Sequence, residues 1–245
     1  MASEAQQGSS PFIKQLASSN RTTRDRALSA LRTYLKRNAP LSESECLKLW
    51  KGLYYTMWMS DKPRNQQQLA RDLAALLHVL ATRENFLTFL DGFWKTMSRE
   101  WSGIDALRMD KFLYLVRCYV QEGFQYVRRA GWDAELVEAY TGIMGATPFE
   151  ARDVRIPNGL RYHVIDLYVD ELDKADEDSS APVESLIAPM KKIGKESPNK
   201  TTRKRATEAL DDARLDNWKQ RREIADQSEG EDEEEEDGEF GGFDD

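Results

Sequence analysis

Few residues of this chain belong to the types that carry out covalent or metal chemistry. The sequence contains two histidines, His78 and His163, and two cysteines, Cys46 and Cys118, and each lies within an apolar helical pattern. These four residues are too widely spaced for a zinc-ligand motif, and the sequence has no phosphate-binding glycine loop and no nucleophile elbow. We therefore predict packed histidines, buried thiols in a reducing compartment, and no metal, cofactor or small-molecule ligand.

Acidic residues offer the remaining route to catalysis, and their pattern favours a solvated surface. Asp170 and Glu171, for example, lie within an acid-rich run that continues to residue 178. A metal-dependent ribonuclease would need several such carboxylates from distant parts of the chain in one cleft. We predict that the protein is not an enzyme and keep the ribonuclease as the weaker alternative.

Basic residues point instead to binding partners. The net charge is -8, but residues 229–245 carry eleven acids and no base, so residues 1–228 are slightly basic. A basic helical face near the N-terminus could neutralise RNA phosphates or could simply be solvated, and it has no interleaved aromatic residues for reading bases. These candidate RNA contacts are Arg24, Arg26, Arg32, Lys36 and Arg37.

A second basic cluster lies close to the C-terminus. Lys200, Arg203, Lys204 and Arg205 resemble a short nuclear import signal, a pattern that is also common by chance. The acidic stretch after them is typical of tails that solubilise a protein or shield basic partners.

Apolar residues recur at spacings of three and four along most of the chain, which predicts consecutive amphipathic helices. Turn residues interrupt them near positions 20, 40, 61, 83 and 103, and strand patterns are nearly absent. About twenty residues per helix is the spacing of HEAT-like arrays, in which one helix pair cannot bury its own faces. No letter-by-letter repeat is visible in the sequence. The predicted fold is therefore all-α, a HEAT-like antiparallel helical-repeat array with a disordered, charged C-terminal extension.

Four regions follow from the change in composition along the chain. We predict a disordered N-terminus at 1–9, a helical-repeat domain at 10–178, a basic linker with a docking helix at 179–228, and an acidic disordered tail at 229–245. No apolar run has the length of a transmembrane helix, and no secretory leader is recognisable, so a soluble intracellular protein is expected.

The most apolar helix lies at the centre of the predicted array. Residues 49–63 read LWKGLYYTMWMSDKP, and Ser42 with Glu45 forms a capping box before them. Trp50, Trp58 and the later Trp101 are predicted core residues, because aromatic side chains at helical spacing usually pack inside.

Three stretches in this order resemble the ribosomal RNA-processing protein 1 family. They are residues 49–63, the run WSGID with LRMDKF at 101–105 and 107–112, and PNGLRYHV at 157–164. The resemblance implies a non-catalytic nuclear and nucleolar scaffold that is needed for processing the large-subunit ribosomal RNA precursor. It implies other large-subunit assembly factors and the precursor RNA as partners, and no membrane.

The polar members of these stretches are the candidate interaction surface, although each could instead be a helix cap or a structural ion pair. They are Asp61, Lys62, Asp105, Arg108, Asp110 and Lys111. A helical-repeat adaptor unrelated to ribosomes is the main alternative function and ranks ahead of the ribonuclease.

Overall fold

The computed structural model describes residues 11–16 and 18–218, and within these ranges the chain forms helices and no strand. The all-α prediction is confirmed. Two 3₁₀ segments, Ala75–Val79 and Trp101–Gly103, extend α4 and α5. The helices in chain order are α1 Pro11–Leu16, α2 Arg21–Leu35, α3 Glu43–Trp58, α4 Pro63–Ala74, α5 Arg83–Glu100, α6 Ala106–Arg129, α7 Ala134–Ala146, α8 Asn158–Ala175, α9 Val183–Leu186, α10 Ala188–Glu196 and α11 Lys200–Leu210.

The helices pack in two layers. In one layer α1 contacts α3, α3 contacts α5, α5 contacts α7 and α7 contacts α10. In the other layer α4 contacts α6, α6 contacts α8 and α8 contacts α11, while α2 lies against the 3₁₀ segment after α4. Because successive helices alternate between the layers, this is the antiparallel helical array that the spacing predicted.

Side-chain caps fix where several of these helices begin. The Ser42 hydroxyl accepts from the Glu45 N–H at the start of α3, and the Asp133 carboxylate accepts from the Leu136 N–H at the start of α7. The predicted cap at Ser42 is confirmed. The Glu45 carboxylate instead accepts from Arg37 Nη2 at 2.8 Å, and this contact ties the start of α3 to the end of α2.

The aromatic helix α3 lies at the centre of the core, as predicted. Trp50 is fully buried, its ring packs edge-on against Phe93 and Tyr119, and its Nε1–H donates to the Phe89 carbonyl oxygen at 3.0 Å. Trp101 is also buried, whereas Trp58 is half-buried. The thiols of Cys46 and Cys118 are free and buried, and burial raises their pKa values to about 12 and about 11.

Packing continues well beyond the boundary expected at residue 178. The segment from 181 to 218 contributes fully or nearly fully buried side chains to the same core, and α11 packs on α8. The sequence underestimates this segment because its helices are short and their apolar residues few. The disordered regions expected at 1–9 and 229–245 lie outside the described residues.

Candidate interaction surface

The turns that lead into α2, α4, α6, α8 and α11 follow one another along a single edge of the array, which we call the turn edge. The Thr56 hydroxyl near the end of α3 donates to the Leu16 carbonyl oxygen before α2. Residues 151–154 before α8 line the same small cavity as residues 197–199 before α11. Every stretch of the family resemblance meets this edge.

A recurring clamp holds these turns. The fourth residue of α2, α4, α8 and α11 donates from its side chain to a carbonyl oxygen of the preceding turn, and this contact ties the turn to the first turn of its helix. The clamps are Arg24 to Ser18 and Ser19, Gln66 to Ser60, Arg161 to Glu150 and Asp153, and Arg203 to Ser197 and Pro198.

Lys111 of α6 makes a similar contact with the turn between α3 and α4, and it is not part of the surface. Its side chain is 6% exposed, and Nζ donates to the carbonyl oxygens of Trp58 at 2.7 Å and Ser60 at 2.9 Å. Burial is the main cause that lowers the pKa of Lys111 to about 8. The prediction that Lys111 contributes to an interaction surface is therefore wrong. The residue instead joins α6 to the end of the stretch at residues 49–63.

Arg108 and Asp105 lie beside it at the start of α6. The Asp105 carboxylate caps the helix by accepting from the Arg108 N–H at 3.1 Å, and it also pairs with the Arg108 guanidinium. That guanidinium lies 4.7 Å from the centre of the Trp58 ring, a cation–π contact. The pair is half-exposed, so it supports the turn and still presents a stacked arginine to a partner.

Asp61, Lys62 and Asp110 are the candidates that remain exposed. Lys62 has a φ angle of 55° and a ψ angle of 121°, a backbone conformation that residues other than glycine rarely adopt. The residue before Pro63 is also kept away from helical dihedrals. The turn thus holds Lys62 in a strained conformation with its side chain in solvent.

The apolar part of this surface was not predicted from the sequence. Large hydrophobic side chains are exposed at Leu107 (95%) and Val154 (88%), and partly exposed at Tyr55 and Met59. All of them lie on or beside the turn edge. Helical spacing alone would place Leu107 in the apolar stripe of α6, but the residue occupies the second position of that helix, where no preceding turn covers it.

The five basic residues near the N-terminus divide into those with intramolecular contacts and those that are exposed. Arg24 is 7% exposed and serves as a clamp, Arg32 pairs with Asp72 at 3.1 Å, and Arg37 pairs with Glu45. The prediction that Arg24 contacts RNA is wrong, because its guanidinium is buried against carbonyl oxygens. Arg26 and Lys36 are exposed, and neither has an ion pair among the described residues.

The candidate import signal lies in the first half of α11. Arg203 is a clamp, Lys204 pairs with Glu208, and Arg205 pairs with Asp166 of α8 at 2.7 Å. Lys200 is exposed. The four residues are therefore helical here, and three of them take part in intramolecular contacts.

The histidines are packed. His163 is half-buried with Nε2 at 2.9 Å from the Leu113 carbonyl oxygen, and burial lowers its pKa. His78 Nε2 lies 2.6 Å from a Glu122 carboxylate oxygen. Within residues 11–16 and 18–218, no group of three or more histidine, cysteine or acidic side chains is placed to hold a metal ion. None of the helices in that part of the chain is long and apolar enough to span a bilayer.

Comparison with known proteins gives a consistent group of relatives. The family model for the nucleolar protein Nop52 matches residues 7–241. Ribosomal RNA processing protein 1 homolog B of Homo sapiens is 37% identical over 71% of this chain and 24% of its own length. Homolog A of Mus musculus is 39% identical over 66% of this chain and 34% of its own length. The Drosophila melanogaster homolog is 34% identical over 73% of this chain, so the chain spans about a quarter to a third of these relatives.

Proposed function

The chain belongs to the family of the nucleolar protein Nop52, and from this membership we propose that it is a non-catalytic assembly factor for ribosomes. The curated relatives carry the name ribosomal RNA processing protein 1, in agreement with the resemblance found in the sequence. We propose further that the protein acts in the nucleolus, within precursors of the large subunit, where it supports processing of the large-subunit ribosomal RNA precursor.

The observation that carries a scaffold role is the turn edge. Buried cations fix its backbone from within, and its outer side presents Leu107, Val154 and the stacked Arg108. A rigid backbone with exposed apolar side chains loses little conformational entropy when a partner covers it. This combination suits protein docking, with the other large-subunit assembly factors as the proposed partners.

RNA contact is a smaller part of the proposal. Of the five basic residues considered, Arg26 and Lys36 retain exposed side chains without an intramolecular ion pair in the described region. Contacts between basic side chains and RNA phosphates release counterions from the RNA. They weaken as the salt concentration rises, because that release then contributes less free energy. We propose that RNA contact, where it occurs, contributes less to retention in the particle than protein docking at the turn edge.

Affinity purification of the tagged protein at two salt concentrations tests this proposal. We expect large-subunit precursor RNA and assembly factors at low salt, and assembly factors that persist at high salt after the RNA is lost. Leu107→Glu should remove those persistent factors, whereas Leu87→Glu serves as a matched control on α5, because Leu87 is partly buried away from the turn edge.

Three outcomes contradict the proposal in different ways. Recovery of neither precursor RNA nor assembly factors would favour the adaptor unrelated to ribosomes. Cleavage of precursor RNA by the purified protein with magnesium would favour the ribonuclease. Loss of the factors in the Leu87→Glu control alone would move the docking surface away from the turn edge.

A further inference from the structure

A fourteen-residue stretch at the start of α2 recurs at the start of α11. Residues 18–31 read SSNRTTRDRALSAL and residues 197–210 read SPNKTTRKRATEAL, with nine of fourteen positions identical. The expectation that the chain has no letter-by-letter repeat is therefore wrong, because this repeat has its copies at opposite ends of the array rather than in neighbouring helices.

The two copies make the same local contacts. In each, an asparagine side chain caps the helix, and the arginine four residues later donates through Nη1 to both carbonyl oxygens before the cap. In α2 the cap is Asn20 to the Thr23 N–H, and Arg24 donates at 2.9 Å to Ser18 and 2.9 Å to Ser19. In α11 the cap is Asn199 to the Thr201 and Thr202 N–H groups, and Arg203 donates at 2.7 Å to Ser197 and 3.1 Å to Pro198. The outer faces of the two helices can therefore be compared position by position.

In the α11 copy this face is covered, because α11 packs on α8. Arg205 Nη1 lies 2.7 Å from an Asp166 carboxylate oxygen, and its guanidinium carbon is 4.9 Å from the centre of the Tyr162 ring. Thr202 is fully buried, and Ala209 packs against the core. Tyr162 and Asp166 are four residues apart on α8, so one face of an acidic helix supplies both contacts.

In the α2 copy the equivalent face is uncovered. Arg26 and Ala30, which correspond to Arg205 and Ala209, are exposed, and Thr23 is only half-buried. Among the described elements α2 packs against α1 and the 3₁₀ segment that follows α4. Since α2 is the first helix of its layer, no described helix occupies the place that α8 has beside α11.

Charge separates the two ends of this layer. Residues 21–36 carry five bases and one acid, whereas α8 and the two residues after it, 158–177, carry six acids and two bases. An acidic helix therefore suits the face of α2 electrostatically, just as α8 suits α11.

We propose that the face of α2 formed by Thr23, Arg26 and Ala30, the end face, docks an acidic helix from a partner protein that carries an aromatic ring and a carboxylate four residues apart. The carboxylate pairs with Arg26, the ring stacks on its guanidinium, and the small side chains of Thr23 and Ala30 allow close approach. This helix continues the array at its open end.

The test places a photo-crosslinking residue at position 30 of the full-length protein in cells and sequences the crosslinked segments. The expected result is a protein segment with an aromatic residue and an Asp or Glu four positions away. Arg26→Glu should lower the crosslinking yield about tenfold, since it opposes that carboxylate with a like charge. Changing the partner's carboxylate to arginine should restore the yield in the Arg26→Glu background.

Arg64→Glu is the matched control, because Arg64 is an exposed arginine in the first turn of α4 and lies off the end face. Its yield should equal that of the unmodified protein, and thermal unfolding should show that both variants are folded. Crosslinks to RNA, to a second copy of this chain, to residues 1–10 of its own chain, or to a partner segment without the aromatic–carboxylate spacing would each overturn the proposal.

Discussion

Lys111 is a buried cation that donates to two carbonyl oxygens and forms no ion pair within the described residues. The pKa of Lys111 falls to about 8 in the fold, whereas an ordinary lysine has a pKa near 10.4. Between these two pH values Lys111 is protonated in the unfolded chain and has lost its proton in the folded chain. In this window more protons are bound to the unfolded state, so Lys111 makes the free energy of unfolding rise with pH.

The prediction is therefore a growing difference between two proteins. The free energy of unfolding of the unmodified chain, minus that of Lys111→Met, should increase by about 1–3 kcal/mol from pH 8 to 10. Urea unfolding at several pH values measures it, and the subtraction removes the opposite trend from the buried thiols. A difference that stays constant or falls with pH would show that Lys111 remains protonated in the fold.

Lys62 offers a test of strain at a single exposed residue. Its backbone conformation costs on the order of 1–3 kcal/mol for a residue with a Cβ, more than the 0.5–1 kcal/mol of extra chain entropy that glycine loses on folding. Lys62→Gly should therefore raise the free energy of unfolding by about 1 kcal/mol.

Asp61→Gly is the adjacent control, because Asp61 is also exposed but has no positive φ angle. It should lower the free energy of unfolding by roughly 0.5–1 kcal/mol in the same denaturant series. If both glycine variants are destabilised, the turn does not strain Lys62.

At the scale of the helices, the stretch at 157–164 contacts the stretch at 101–112 through a glycine. A Cβ at Gly159 in the first turn of α8 would lie 2.9 Å from Trp101 Nε1, closer than packed atoms allow. Gly159→Ala should therefore push the buried Trp101 ring aside and lower the free energy of unfolding by about 1–3 kcal/mol.

Gly142 in α7 gives the matched comparison, because a Cβ there meets nothing within 4 Å. Gly142→Ala should raise the free energy of unfolding by roughly 0.5–1 kcal/mol, the helix propensity difference. The opposite signs of two identical substitutions, measured by thermal or urea unfolding, would separate the close approach at Gly159 from propensity alone.

The helices themselves were largely predictable, and the reasons are local. Periodic apolar residues and capping side chains specify α3, α6 and α7 without reference to the rest of the chain. The exposure of Leu107 was not predictable, because periodicity says nothing about which turn of a helix is covered by neighbouring helices. The role of Lys111 was hidden for a similar reason, since its acceptors lie on another helix.

The sequence also contains a repeated pattern that indicates which helices are equivalent. The repeated asparagine cap with an arginine four residues later marks α2 and α11 as equivalent helices, and a comparison of the two ends of the chain would have found it. Tertiary position then decides that Arg205 is paired with Asp166 while Arg26 has no ion pair among the described residues, which no local pattern can reveal.

At the scale of the whole molecule, the C-terminal helices complete the array rather than follow it as a linker. Trp218 is 2% exposed, and its Nε1–H donates to an Asp176 carboxylate oxygen at 2.8 Å, just beyond the end of α8. Arg214 reaches Asp170 of α8 at 2.7 Å. These contacts connect residues 213–218 to the body through both apolar burial and charged hydrogen bonds.

Trp218→Ala should therefore destabilise the body as a whole. The loss of a buried indole costs about 3–5 kcal/mol, and Trp218→Phe, which keeps most of the packing but loses the donor to Asp176, should cost about 1–3 kcal/mol. Urea unfolding followed by the fluorescence of the other tryptophans measures the effect on the body, because Trp50 in α3 and Trp94 in α5 are fully buried and far from Trp218 along the chain. If residues 179–218 were an independent linker, Trp218→Ala would leave that midpoint unchanged and would only expose the segment to protease. A lower midpoint in one cooperative transition would instead show that the array needs its C-terminal helices, since neighbouring helices of such an array stabilise one another.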